Sequence, residues 1–243
     1  FISDASSVGT ITNSGLITTT AGDDDAFGIR VEDDSTVDTI TNSGTITASA
    51  ADSTAIGILV DTRTTVDTIT NSGLITTTAV EDDAVGILVD TNSIVDNIDN
   101  TGTISVTAGI KEATGIRLET SSTITTLTNS GLIEAISLGA DANGIDMQTT
   151  SGNVITTLTN TGTISGSAAG SIGRGVNLDE QSLIISLDNQ GLIQGAAGAT
   201  YGRGVRLTSA SSITTLTNSG TINALAKTDA RGMHVDSGSS IGT

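Results

Sequence analysis

The sequence returns on itself every 29 residues. The segment Ile40-Thr41-Asn42-Ser43-Gly44-Thr45-Ile46 occurs eight times with small changes, placing an Asn at Asn13, Asn42, Asn71, Asn100, Asn129, Asn160, Asn189 and Asn218. Six of the seven intervals are 29 residues and one is 31. A Gly follows each Asn by two positions, from Gly15 to Gly220. A fixed period of this length means that each repeat is one unit, able to bury its apolar face only against its neighbours. The 243 residues therefore read as one continuous array, 1–243, and not as the one or two globular domains that length alone suggests.

Within a repeat the apolar residues alternate, as they do when successive side chains face opposite sides of a strand. In residues 37–66, Ile40 and Asn42 share a face, Ile46, Ala48 and Ala50 share another, and Ile58 and Val60 a third. No 3.6-residue helical period competes. Three short strands joined by turns, about 29 residues in all, make one turn of a three-sided coil. Successive coils pair in parallel and in register about 4.8 Å apart. Parallel crossovers favour the right hand. The expected fold is all-β: a right-handed three-sided parallel β-solenoid, or β-helix, of about eight coils.

Five positions per coil are expected to point inward. The position five before the Asn is always Val or Ile, two before it is Ile or Leu, and four after it is Ile. The other two run from Ile29 to Met233 and from Val31 to Val235. The Asn lies on the same inward face, where stacked amides can each donate and accept from coil to coil. The Gly after it is assigned to a corner of positive φ. A second Gly column, Gly28 through Gly57 to Gly232, is expected to open the third strand as a bend. The two extra residues of the one long interval fall within Gln148-Thr149-Thr150-Ser151-Gly152-Asn153 and are expected to bulge from a corner. Ser239-Ser240-Ile241-Gly242-Thr243 re-enters the repeat at the point matched by Ser6-Ser7-Val8-Gly9-Thr10. An interior slice of a longer chain, or a subunit that stacks end to end with like subunits, is therefore expected.

Composition narrows the chemistry. There is no Cys, so there is no disulfide, thiolate metal site or cysteine nucleophile. With no Pro, no strand ladder loses a donor. A net charge of -18 opposes nucleic acid and anionic membrane surfaces as partners. Residues 1–121 carry 19 acids against 4 Lys and Arg, and residues 122–243 carry 8 against 5.

Stacking turns each outward position into a row. Thr pairs flank the buried Ile or Leu before the Asn, as at Thr39/Thr41 and Thr68/Thr70, with interruptions at Asn97/Asp99 and Ser186/Asp188. Such a face is one that ice could bind, or simply a residue suited to exposed strand. An acid row, Glu32, Asp61, Asp90, Glu119, Asp179 and Asp236, follows the third strand, with Asp38, Asp67 and Asp96 across the corner. Such a row is either solvated or bridged by a hard cation. Arg174, Arg203 and Arg231 make a short basic row, where early coils have Phe27, Ile56 and Val85; it serves a lateral or end-on contact or is an exposed position free to drift. The residue after the first Gly alternates strictly between Leu and Thr, from Leu16 to Thr221.

The Ile-Thr-Asn-Ser-Gly-Thr/Leu-Ile repeat, with Gly-Ile-x-Val in each coil, resembles the passenger β-helix of bacterial autotransporters and filamentous haemagglutinin-like surface adhesins. The resemblance implies secretion to the bacterial cell surface and a role as a stalk or filament segment facing a cell-surface or matrix target. It carries over no site residue. An enzyme, such as a polysaccharide lyase, would need convergent, non-repeating groups. His234 is the single histidine, and no catalytic, cofactor-binding or metal-binding residue is assigned and no cofactor is expected. The alternative to the stalk is an ice-binding or cation-binding module using the outward Thr or Asp rows.

Overall fold

The computed structural model describes residues 1–148 and 152–242. The described residues form strands and turns with no helix. Each coil contributes three strands, for example Thr36–Asn42, Thr45–Ala50 and Ala55–Val60. Like strands of successive coils pair in parallel and build three sheets of nine, eight and eight strands. The register is identity-preserving: Val37 sits on Val66, Ile40 on Ile69, Asn42 on Asn71, Ile46 on Ile75 and Val60 on Val89. A slip of one residue would turn every inward side chain outward, so the repeat itself fixes the register. The three-sided β-solenoid expected from the period is the fold observed.

The core is a single aliphatic column. Val37, Ile40, Ile46, Ile58 and Val60 are buried in it, as are their counterparts through the middle coils. Small residues such as Ala48, Ala50 and Ala55 fill the narrow angle between the second and third strands. At the outermost coils the same positions lose their cover: Val8, Ile11 and Ile17 are half-buried, and Met233 and Val235 are exposed.

The Asn column forms the expected ladder. The Nδ2 of each Asn donates to the Oδ1 of the next at 2.7–2.8 Å, from Asn13 to Asn218 without a gap. A second polar ladder, not foreseen, runs down another corner. The Thr64 amide donates to Ser93 Oγ, the Ser93 amide to Ser122 Oγ and the Ser122 amide to Asn153 Oδ1, at 3.1–3.2 Å. Ser182 and Ser211 continue it at 3.1 Å. Buried amides at a turn need such partners, because the strand ladder does not reach them.

Both glycine assignments need correction. The Gly after each Asn does not have positive φ; among the described glycines only Gly152 and Gly238 do so. Its role is close approach. The Gly44 carbonyl accepts the Leu74 amide at 2.9 Å and so points along the stack, and a Cβ on Gly73 would lie 2.0 Å from that oxygen. The second Gly column lies inside the third strand rather than at its start: Gly57 is the third residue of Ala55–Val60. A Cβ there would meet Ile75 Cγ2 at 2.5 Å and the Gly86 oxygen at 2.6 Å. The register passes from Ile56↔Val85 directly to Ile58↔Ile87, so the ladder is interrupted at this Gly.

Positive φ occurs instead at the corner after the third strand, on pairs of non-Gly residues: Asp33/Asp34, Thr62/Arg63, Thr91/Asn92, Thr120/Ser121, Glu180/Gln181 and Ser209/Ala210. This conformation costs about 1–2 kcal/mol per residue. Hydrogen bonds offset it. The Arg63 amide donates to the Thr91 carbonyl at 2.8 Å and the Asn92 amide to that of Thr120 at 2.9 Å. The long loop's Thr149, Thr150 and Ser151 lie outside the described residues, so the expected bulge falls there.

Candidate functional site

The acid row has a structural task at this corner. Asp61 Oδ1 accepts the Thr62 amide at 2.6 Å, and Asp90 does the same for Thr91. Asp179 and Asp236 serve Glu180 and Ser237 at 2.9 and 2.7 Å. A carboxylate one residue before a left-handed pair thus satisfies an amide that the turn would leave open. Among the described residues no three His, Cys, Asp or Glu side chains gather as a metal-ligand set. The Thr positions do align across the first sheet, Thr39 on Thr68 and Thr126 on Thr157, with Asn97 inserted between Thr68 and Thr126.

The chemistry-bearing groups gather on the outward face of the third sheet. Two outward positions per coil flank the second Gly column there. In the early coils they are apolar except for Arg30: Ile56, Leu59 and Val85 form a small cluster outside the main core, with Phe27 and Leu88 against it. Arg30 stacks over the Phe27 ring at 4.7 Å from its centre and over Phe1 at 5.2 Å. From the fourth coil onward the same positions hold Thr114, Arg117, Asn143, Asp146, Arg174, Asn177, Arg203, Arg206, Arg231 and His234.

These polar side chains form two networks, one running from Arg117 to Arg206 and one joining Arg231 to Arg203 through Asp229 and Arg203 to His234. Arg117 reaches Asp83 at 3.1 Å, Glu112 at 3.0 Å and Glu119 at 3.6 Å, and donates to Thr114 Oγ1 at 2.9 Å. Asn143 Nδ2 donates to Glu112 Oε1 and to Asp146 Oδ2, and Gln148 Nε2 donates to Glu112 Oε2. Asn177 joins Asp146 Oδ1 at 2.8 Å to Arg206 at 2.9 Å. Arg174 donates to Asp141 at 2.9 Å and to Asn143 Oδ1 at 3.0 Å.

The basic row is therefore not an exposed, drifting position. Arg174 and Arg203 are only 6% and 5% exposed, and of the three only Arg231 faces solvent freely. Acids from the neighbouring corner, Asp141 and Asp229, fold over them and neutralise the buried charge. An outward position on a β-strand is normally wet; here the corner side chains roof it.

Burial and crowding set the protonation states. Glu112 is pushed up to about 8, first by burial and then by the Asp146 charge. Burial alone would lower Arg117, but Glu112, Asp146, Asp83 and Glu119 more than offset it and raise it. One guanidinium is shared among Asp83, Glu112 and Glu119, so it does not fully offset the burial of Glu112. Burial also raises Glu119, against the pull of Arg117. Asp141 is held low despite its burial by Arg174 and by hydrogen bonds from Ser171 and the Ile172 amide.

At the late end the two networks border a cleft of about 430 Å³ lined by Ile172, Tyr201, Arg203, Arg206, Asp229, Arg231 and His234. Arg203 makes four hydrogen bonds: it donates to His234 Nδ1 and to Asp229 Oδ2, both at 2.9 Å, and to two backbone carbonyls. It also packs over the Tyr201 ring at 5.2 Å from the centre. His234 is lowered by burial and then by Arg203 and Arg231, so the ring is neutral at pH 7. Because Nδ1 accepts from Arg203, its proton sits on Nε2.

The sequence reading assigned no site here, and the signal available to it was slight. The two outward columns change from Phe, Ile, Leu and Val to Arg, Asn and His while the inward columns stay constant. Comparison of the chain with protein-family models, with curated proteins and with solved structures finds no match.

Proposed function

We propose that the chain is a structural stalk or filament segment of an extracellular adhesin on a bacterial surface, akin to the autotransporter passengers its repeat resembles. The observation that carries this reading is the unbroken Asn ladder, seven consecutive side-chain bonds that tie all eight coils along one axis. A rod needs each coil bound to the next, and the solenoid supplies that with backbone ladders, an aliphatic column and two polar ladders. The exposed Met233 and Val235 suit end-on continuation with further repeats or like subunits, which would cover the apolar cross-section. The acidic charge favours neither nucleic acid nor anionic membrane as partner.

Antibodies raised against the purified segment test the reading on cells that produce the protein. Labelling of intact cells is the expected result. Labelling that appears only after the cells are permeabilised would remove the surface role.

A further inference from the structure

We propose that the cleft at Tyr201, Arg206, Arg231 and His234 is a binding site for a small organic anion: one carboxylate, sulfate or phosphate group on a body about the size of a monosaccharide. This goes beyond the stalk role and does not depend on it.

Charge makes the first argument. The lining holds three arginines, Arg203, Arg206 and Arg231, against one acid, Asp229, in a chain whose net charge is -18. Elsewhere on this sheet each buried arginine faces at least one acid: Arg117 has three and Arg174 has Asp141. In the cleft Asp229 is shared between Arg203 and Arg231, at 2.9 and 3.1 Å. Arg206 has only a loose pairing with Asp179 at 3.5 Å, outside the cleft lining. Asp179 and Asp236 border the cleft, 3.5 Å from Arg206 and 3.9 Å from His234, so what a ligand oxyanion would complete is the loose pairing of Arg206 and the shared pairing of Arg231.

Donor geometry makes the second. Arg206 uses one nitrogen on Asn177, and its other nitrogens have no partner among the described residues. Arg231 engages Asp229 through Nε alone, which leaves its two terminal nitrogens open. His234 presents Nε2–H, because its Nδ1 is occupied by Arg203 Nε, and the nearest acid to Nε2, Asp236, stands 3.9 Å away, beyond hydrogen-bond distance. Two guanidinium groups and an imidazole N–H thus border one cleft, and fork-shaped guanidinium groups match the paired oxygens of an acid group. Arg203 itself spends four of its five N–H groups and acts as the fixed floor, holding Asp229, His234 and the Tyr201 ring in place.

Shape makes the third. A volume of about 430 Å³ is within the range of small-molecule sites. Tyr201 and Ile172 add apolar surface on which the body of the ligand can rest. Arg231 and His234 alternate along their strand with Met233 and Val235, which belong to the inward columns. The donors therefore project sideways from the rod and not along its axis.

Calorimetric titration of the purified chain at low salt tests the site, using glucuronate, glucose 6-sulfate, glucose 6-phosphate and glucose. We expect saturable binding of at least one charged sugar, weakening as salt rises, and none of glucose. Which of the three binds most tightly identifies the acid group. Arg231→Gln and Arg206→Gln should each weaken binding by about tenfold or more, the loss of one charge-assisted contact. Arg63→Gln, at a corner of the second coil, should leave it unchanged. Arg231 is half exposed, so its variant is expected to fold, with the circular dichroism and melting temperature of the parent; it decides the matter if Arg206→Gln does not fold. The proposal is overturned if no charged sugar binds, if glucose binds equally well, or if the folded Arg231→Gln variant binds like the parent.

Discussion

Asn71 Nδ2 donates to Asn100 Oδ1 at 2.8 Å and, bifurcated, to the Thr103 carbonyl at 3.2 Å. One amide group thus joins two coils and also secures the corner that follows the next Asn. The Oδ1 of Asn71 is in turn filled by Asn42. Each amide in the column is satisfied only because both neighbours are Asn, which gives the repeat its identity at this position.

From that arrangement Asn71→Ala should destabilise the chain more than Thr70→Ala. The Asn71 side chain is buried, whereas Thr70 lies half-buried on the outward face. Truncation leaves Asn42 with only its longer bonds to backbone carbonyls and Asn100 Oδ1 without its donor in a dry column, a cost of about 1–3 kcal/mol. Urea denaturation of both variants measures the difference. Equal midpoints would show that the ladder adds nothing beyond burial.

The Gly after each Asn should respond to close approach and not to backbone conformation. Gly73→Ala places a Cβ 2.0 Å from the Gly44 oxygen and should lower the melting temperature sharply. Gly15, in the same column, has nothing within 4 Å, so Gly15→Ala should be nearly neutral. A positive-φ requirement would instead penalise both substitutions alike. Thermal melts of the two variants separate the explanations.

This contrast also marks where sequence was informative. Identical residues at a fixed period disclosed the coil, its register and the Asn ladder, because parallel in-register stacking sets like on like. Mixed residues concealed the second ladder: Ser93, Ser122 and Asn153 share a hydrogen-bonding role but not an identity. The glycine columns were visible but their cause was not, since a corner Gly and a contact Gly look the same in one dimension. Burial of Arg174 and Arg203 was hidden for a different reason. Alternation says which way a strand residue points, and says nothing about acids such as Asp141 and Asp229 that reach over it from another corner.

Glu112 makes stability depend on pH in a direction opposite to that of an ordinary paired carboxylate. Its value is raised from 4.5 to about 8, chiefly by burial and next by Asp146. Between those two values the folded chain keeps a proton that the unfolded chain releases. The unfolded state then binds fewer protons, so stability falls as pH rises. This contribution is fully present below about 4.5 and is lost as the pH climbs through about 8. Glu112→Gln removes the titration while keeping a neutral side chain of the same length beside Arg117 and Asn143. The variant should therefore gain on the parent from pH 5 to pH 8.5, by on the order of a few kcal/mol, since one pKa unit corresponds to about 1.4 kcal/mol. Glu119 and Asp141 titrate in both proteins and largely cancel in the comparison. Denaturation midpoints of the two proteins across this range give the difference directly. A constant gap at every pH would mean that Glu112 ionises in the folded chain as it does in water, and that Arg117 offsets its burial in full.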